Sequence, residues 1–130
     1  MKRVLIAALL ASTSLLLALE PEGAWVAKVP AHEARKPNPF AGQPDAVSAG
    51  RHLFEENCAK CHGSNAEGRG KKPALASERV QQEATDGQLH WFIKNGSLGR
   101  GMPAWSRLPD QQLWQIVSYL KTLKPVATRQ

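Results

Sequence analysis

Apolar residues recur at three- and four-residue spacing near the C-terminal end of the chain. This spacing predicts a helix over residues 110–123 that buries one face. Lys121 and Lys124 lie at its end, where the helix dipole favours cations. Pro109 occupies the N-cap position, so the start of the helix is expected to depend on Asp110. The apolar stripe consists of Leu113, Ile116, Val117, Leu120 and Leu123.

A second helical pattern covers residues 46–57, with Asp45 as the expected N-cap after Pro44. Glycine in the middle of a helix costs about 1 kcal/mol relative to alanine, so Gly50 needs a structural reason. Close approach of another helix supplies that reason, because glycine places no side chain at the contact. The face that would meet the other helix consists of Gly50, Leu53, Phe54 and Asn57.

A third helix is predicted to begin at the capping box formed by Thr85 and Gln88 and to end at Asn95–Gly96. His90 and Lys94 share its outer face, where a histidine is usually solvated. The apolar face of this helix consists of Leu89, Phe92 and Ile93.

The remaining stretches of the domain are shorter. Residues 63–73 are rich in glycine and predict a loop, and residues 78–83 predict a short helix capped by Ser77. The chain shows no alternation of strand and helix patterns. The patterned stretches of the domain are therefore predicted to be helical.

The first 19 residues are typical of an export signal. Lys2 and Arg3 precede an apolar run over residues 4–19, interrupted only at positions 12–14. The run is shorter than the roughly 20 residues of a membrane span and long enough for a signal core. Residues 1–19 are therefore predicted to direct export, and an uncleaved N-terminal anchor remains the alternative.

Residues 20–45 hold five of the nine prolines and few large apolar residues, so they are predicted to form an extended tether. Trp25 and Phe40 are the exceptions, and they are expected to pack on the domain or to contact a partner. One domain is predicted over residues 46–124, followed by a short tail over residues 125–130.

The candidate chemistry lies in Cys58-Ala59-Lys60-Cys61-His62, which contains the only two cysteines of the chain. A Cys-x-x-Cys-His run is the attachment signal for c-type haem. Two thiols three positions apart on one helical turn can reach the two haem vinyl groups, while the next imidazole lies beneath the iron. The motif therefore predicts covalent haem with His62 as an iron ligand.

Three other interpretations of the two cysteines remain open. A thioredoxin-like dithiol normally opens a helix within a βαβ unit, a pattern that this sequence does not show. Zinc needs four ligands, and the other histidines provide no second pair at ligand spacing. A disulfide across so short a loop is strained and leaves His62 unexplained. The other histidines are His32, His52 and His90.

A second axial ligand is predicted at Met102, the only methionine after the initiator. Residues 99–105 contain two glycines and a proline, which favour an irregular loop that can carry a thioether to a metal. A lone methionine is often core filler, but filler methionines usually lie on apolar helices. His90 is the alternative ligand if Met102 does not bind.

Taken together, these residues resemble the small monohaem c-type cytochromes of the His/Met class, of the bacterial and algal type. The resemblance covers about residues 46–124. It rests on the motif at residues 58–63, the run at residues 101–105, and the pair Gly50 and Phe54 facing Ile116 and Tyr119.

The resemblance implies an all-α cytochrome c fold of about three to five helices around one haem c, with the N- and C-terminal helices crossing. It implies that the Pro73 carbonyl binds the other imidazole nitrogen of His62 and that Trp105 approaches a haem propionate. A domain of this length has a marginal side-chain core, so the haem-free chain is expected to be poorly folded. The implied cofactor-binding residues are Cys58, Cys61, His62, Met102, Pro73 and Trp105, with the covalent bonds at the cysteines and His62 and Met102 on the metal.

The same resemblance implies a monomeric one-electron carrier, not an enzyme, exported to the periplasm. Its expected partners are redox proteins: a dehydrogenase, a quinol-oxidising complex or an oxidase. The alternative is a fixed haem subunit of a larger dehydrogenase or oxidase complex. The formal net charge of +6 occurs without a basic helix or aromatic-basic stripe, which argues against nucleic acid binding and fits steering toward an acidic partner. Membrane attachment is expected only if residues 1–19 are retained.

Overall fold

The computed structural model describes residues 25–125, and the elements in this range are helical. The range contains no β-strand, only isolated bridges at Arg69 and Lys72 and at Ser97 and Met102. The prediction of an all-α fold is therefore confirmed. The helices are α1 (Ala31–Ala34), α2 (Pro44–Asn57), α3 (Ala59–His62), α4 (Asp86–Asn95) and α5 (Asp110–Leu120), with 3₁₀ turns at Val26–Lys28 and Leu98–Arg100 and a π-helical turn at Arg79–Glu83.

Helices α2 and α5 cross at Gly50, and they form the most extensive helix pair of the fold. A Cβ atom at position 50 would overlap the carbonyl group of Gln115 on α5. One turn further, the rings of Phe54 and Tyr119 pack with their centroids 5.3 Å apart. The crossing expected from a glycine inside a helix is therefore present, because only a residue without a side chain allows the two backbones to approach so closely.

The ends of the main helices differ slightly from the sequence-based prediction. Helix α2 begins at Pro44 with Gln43 at the N-cap, not at Ala46 after Asp45. Proline suits the first helical position because its ring presets φ and its missing N–H would have no helical partner there. Helix α5 begins at Asp110, as predicted, and ends at Leu120.

Helix α4 starts at the predicted capping box. The Gln88 backbone N–H donates to the Thr85 hydroxyl at 3.2 Å, and the Thr85 N–H donates to the Gln88 side-chain oxygen at 2.8 Å. The helix ends at Gly96, whose φ of +69° is accessible to glycine at little cost. Both signals fix the length of α4, and its C-terminal end leads directly into the loop that carries Met102.

The prediction that His90 lies on a solvated outer face is wrong. Its side chain is buried and stacks on the ring of Trp114, with centroids 3.9 Å apart and the planes 13° from parallel. Its Nε2 lies 3.0 Å from the Asp110 carboxylate at the start of α5. Helix α5 therefore covers the face of α4 that the local pattern assigned to water.

Residues 25–43, predicted as an extended tether, include α1 and pack along the helices. Val29 and Asn38 are buried, and Trp25 and Phe40 pack against the core. The predicted signal or anchor at residues 1–19 and the end of the predicted tail lie outside the described residues. Among residues 25–125, no helix has the length and apolar character needed to cross a membrane.

Candidate cofactor site

One cavity of about 840 Å³ brings the predicted site residues together. Its volume lies within the roughly 300–1,000 Å³ typical of small-molecule and cofactor sites. Apolar side chains of α2, α4 and α5 form much of its wall, so a bound group would be partly shielded from water. All six predicted site residues line it: Cys58, Cys61, His62, Pro73, Met102 and Trp105.

Helix α3 positions the two cysteines and the histidine. Cys58 joins α2 to α3, and the backbone N–H of His62 donates to the Cys58 carbonyl at 3.0 Å. This single helical turn places both sulfurs and the imidazole at the same cavity. Burial, followed in importance by the neighbouring Cys61, raises the pKa of the Cys58 thiol to about 11.

The His62 imidazole is oriented by the Pro73 carbonyl, whose oxygen lies 2.9 Å from Nδ1. A carbonyl only accepts hydrogen bonds, so Nδ1 carries the proton and donates. This tautomer leaves the Nε2 lone pair available to a metal, and the hydrogen bond increases the basicity of the ring.

The loop after α3 folds back to hold Pro73 in place. The Gly68 N–H donates to the His62 carbonyl at 2.7 Å, and the Leu75 N–H donates to the Ala66 carbonyl at 2.8 Å. Ala66 has no exposed surface and adopts a φ of +59°, which is unusual for a residue with a side chain. The imidazole orientation is therefore set by a tightly bonded loop.

The loop that carries Met102 is closed by two backbone hydrogen bonds with Ser97, of 2.8 and 3.0 Å. A Cβ atom at Gly96 would lie 2.6 Å from both the Ala104 nitrogen and the Pro103 carbonyl carbon. Next to it, the Trp105 N–H donates to the Ile93 carbonyl at 3.0 Å. The end of α4 thus fixes where the thioether and the Trp105 indole enter the cavity.

The cavity residues missed in the assignment of the site include two from outside the predicted domain, Trp25 and Lys28. Trp25 was noted as an isolated aromatic residue in a proline-rich stretch, but nothing in the local pattern linked it to the cavity. Lys28 carries no pattern signal at all. Both reach the site only because the chain before α2 folds back across α4.

The donor set of the cavity fits haem c. Two thiols at the attachment spacing, an imidazole with its tautomer fixed for metal binding and a thioether all border a largely apolar space. Such a combination on an all-α fold defines a monohaem c-type cytochrome.

Comparison with protein families supports this class. The family model described as cytochrome c oxidase, cbb3-type, subunit III matches residues 45–120. The chain belongs to this cytochrome c family. Membership implies covalently attached haem c, and Cys58 and Cys61 are the cysteines spaced for it.

Individual proteins extend the comparison. Cytochrome c-554(547) of Halothiobacillus neapolitanus is 34% identical over 89 residues, covering 60% of this chain and 97% of that protein. The Cbb3-type cytochrome c oxidase subunit CcoP of Azospirillum brasilense is 30% identical over 96 residues, covering 64% of this chain. This chain spans only 32% of that subunit.

A solved structure shows the same fold. Cytochrome CL from the marine methylotrophic bacterium Methylophaga aminisulfidivorans aligns with a TM-score of 0.58 and 26% identity. The alignment covers 68% of this chain and 59% of that structure. The cytochrome c fold follows for the present chain.

Proposed function

We propose that the protein is a one-electron carrier whose haem c is attached through Cys58 and Cys61 and whose iron is bound by His62 and Met102. The observation that carries this proposal is the meeting of these four side chains at one cavity. The hydrogen bond from His62 to Pro73 supports the role of the imidazole, because it leaves Nε2 for iron.

Bound haem supplies a reversible ferric–ferrous couple, and the protein determines its potential and its access to water. With haem bound, His62 and Met102 would both hold the iron and would leave it no position for a substrate. A thioether ligand favours ferrous iron and raises the reduction potential. The function is therefore electron transfer without a chemical reaction of its own.

The expected partners are redox proteins such as a dehydrogenase, a quinol-oxidising complex or an oxidase, met in the periplasm after export. Lys71, Lys72 and Arg100 border the cavity, and their charge supports docking of an acidic partner surface near the haem. Trp105 stands beside this border and is the residue expected to approach a haem propionate.

The ligand assignment is tested with Met102→Ala in the haem-loaded protein. We expect loss of the weak far-red band that marks ferric iron bound to a thioether, binding of carbon monoxide to the ferrous form, and a lower reduction potential. Leu98→Ala is the matched control, because Leu98 lies in the same loop, is 80% exposed and does not line the cavity. A Met102→Ala variant with the wild-type spectrum would remove Met102 from the iron.

The second candidate is a fixed haem subunit of an oxidase or dehydrogenase complex. It is favoured by the similarity to the longer oxidase subunit of Azospirillum brasilense, of which this chain covers about a third. Size-exclusion chromatography of the haem-stained native extract separates the two candidates. A carrier elutes as a monomer, whereas a subunit elutes with the proteins of its complex.

A further inference from the structure

Residues 25–40, here called the N-terminal clasp, are fastened to α4. The Thr85 hydroxyl donates to the Ala34 carbonyl at 2.7 Å. At Gly87, a Cβ atom would overlap the carbonyl oxygen of Glu33 and lie 2.9 Å from that of Ala34. The clasp therefore rests directly on the first turn of α4, at a position where only glycine leaves room.

Asn38 fastens the other end of the clasp to α5. The residue is 7% exposed, and its side-chain amide donates to the Ser118 hydroxyl at 2.9 Å and to the Trp114 carbonyl at 3.3 Å. Its side-chain oxygen accepts the Phe40 N–H at 2.9 Å. A buried amide with these three bonds holds its segment firmly, because breaking them would leave polar groups unpaired.

Near residue 25, where the described part of the chain begins, the clasp lies against the cavity. The Trp25 ring packs on Phe92 of α4, with centroids 5.0 Å apart and planes 58° apart. Trp25 and Lys28 line the same cavity as Cys58 and Met102. An aromatic ring from outside the predicted domain thus forms part of the wall.

We propose that the N-terminal clasp is a wall of the haem site and that Trp25 is a haem-contacting residue that keeps water from the cofactor. Ferric haem carries one more positive charge than ferrous haem, and water stabilises that charge. A large apolar ring that excludes water therefore raises the reduction potential. The inference rests on the proposed haem site and adds a residue to it.

The test measures the reduction potential of haem-loaded Trp25→Ala and Trp25→Phe. We expect a lower potential for the alanine variant and a smaller shift for phenylalanine, which keeps an aromatic ring. Trp91→Ala is the matched control, because Trp91 contacts the same Phe92 ring at 5.1 Å but does not line the cavity. Its potential is expected to equal that of the wild type.

Gly87→Ala tests the clasp without changing a cavity residue. Alanine is the better helix former, yet its Cβ atom would displace the Glu33 carbonyl and with it the clasp. We expect its potential to shift in the same direction as that of Trp25→Ala. Loss of the far-red band in Trp25→Ala would mean that this variant has also lost the bond between iron and the thioether. The potential of Gly87→Ala then tests the proposal, because this variant keeps every side chain of the cavity.

The proposal is overturned if Trp25→Ala and Gly87→Ala both keep the wild-type potential, or if Trp91→Ala shifts it as much as Trp25→Ala. Failure of the underlying haem assignment is recognised separately. In that case the wild-type protein itself lacks the far-red band of thioether-bound ferric iron.

Discussion

Asp110 is the residue on which the contact between α4 and α5 depends. Its carboxylate accepts from His90 Nε2 and Trp114 Nε1 at 3.0 Å each and from the Lys94 ammonium at 3.4 Å. Burial alone would raise the pKa of Asp110, but His90 and Lys94 more than offset this effect and lower it. The first residue of α5 thereby holds three side chains.

Burial lowers the pKa of His90 and outweighs the opposing effect of Asp110. The neutral ring donates through Nε2, and its buried Nδ1 has no hydrogen-bond partner among the described residues. In the unfolded chain an ordinary histidine takes up a proton near pH 6.5. Stability from this group is therefore present above that pH and is lost as the pH falls below it.

The corresponding prediction concerns His90→Phe, which keeps a ring on Trp114 but cannot titrate. Guanidinium unfolding of the haem-loaded wild type should show a lower midpoint at pH 5.5 than at pH 7.5, and the variant should show a smaller difference. The exposed His52, changed to Phe, serves as the control and should keep the wild-type difference. An equal pH dependence in His90→Phe would contradict the assigned role.

Local sequence could not predict the burial of His90. The spacing to Lys94 correctly puts both residues near one side of α4, and both contact Asp110. His90 is buried because Asp110 and Trp114 of α5, which follow it by 20 or more residues, pack against its ring. A pattern within one helix carries no information on which neighbour covers its polar side.

At the scale of elements, the crossing of α2 and α5 forms part of the cavity wall next to the attachment motif. Phe54, which has no exposed surface, packs at this crossing, lines the cavity and precedes Cys58 by one helical turn. The backbone contact at Gly50 therefore sets where α3 begins.

Gly50→Ala is predicted to lower the free energy of unfolding by about 1–3 kcal/mol, the usual range for overpacking, although alanine is the better helix former. The added Cβ atom must push α5 away from α2, because it meets backbone at Gln115. Chemical unfolding of the haem-loaded protein measures the loss. Gly99→Ala, which meets no atom within 4 Å, should leave the stability nearly unchanged.

Elements with local signals were predicted, whereas those held by distant contacts were predicted only in part or not at all. The capping box at Thr85 and the glycine at the helix crossing are encoded within a few residues. A short helix was predicted at residues 78–83, but the observed turn at Arg79–Glu83 is π-helical. The ammonium of Lys121, the residue that follows α5, donates to the carbonyls of Gln81 and Ala84 at 3.0 and 3.1 Å. The helical form of this turn depends on a partner about forty residues away.

At the scale of the whole molecule, the hydrophobic core and the cavity share their side chains. Phe54, Leu89, Ile93, Ile116 and Leu120 are buried core residues and also line the cavity. Haem therefore completes the core of a small domain that would otherwise contain a large void.

The haem-free chain is accordingly predicted to be poorly folded. The reactivity of the Cys58 thiol measures whether it is. In the described fold its pKa of about 11 would reduce the thiolate at pH 8 by on the order of a hundredfold relative to an ordinary cysteine. We expect iodoacetamide to modify Cys58 at similar rates with and without denaturant. Strong protection in plain buffer would show that the fold forms without haem.

The proline-rich composition before α2 predicted a tether, yet the segment is bonded to the domain along residues 25–40. Proline favours extended backbone and says nothing about what lies beside it. The Asn38 amide is bonded to α5 because Ser118 and Trp114 lie opposite it, 80 and 76 residues along the chain. Composition therefore predicted the flexibility of an isolated segment and missed its tertiary partners.

The position of residues 25–28 beside the cavity has a practical consequence for bioelectronics. Ala27 is exposed and lies two residues from Trp25, so a linker fixed there would turn the redox centre toward the supporting electrode. Tunnelling rates fall exponentially with distance. Immobilisation through this point should therefore give faster voltammetric exchange than random coupling through surface lysines.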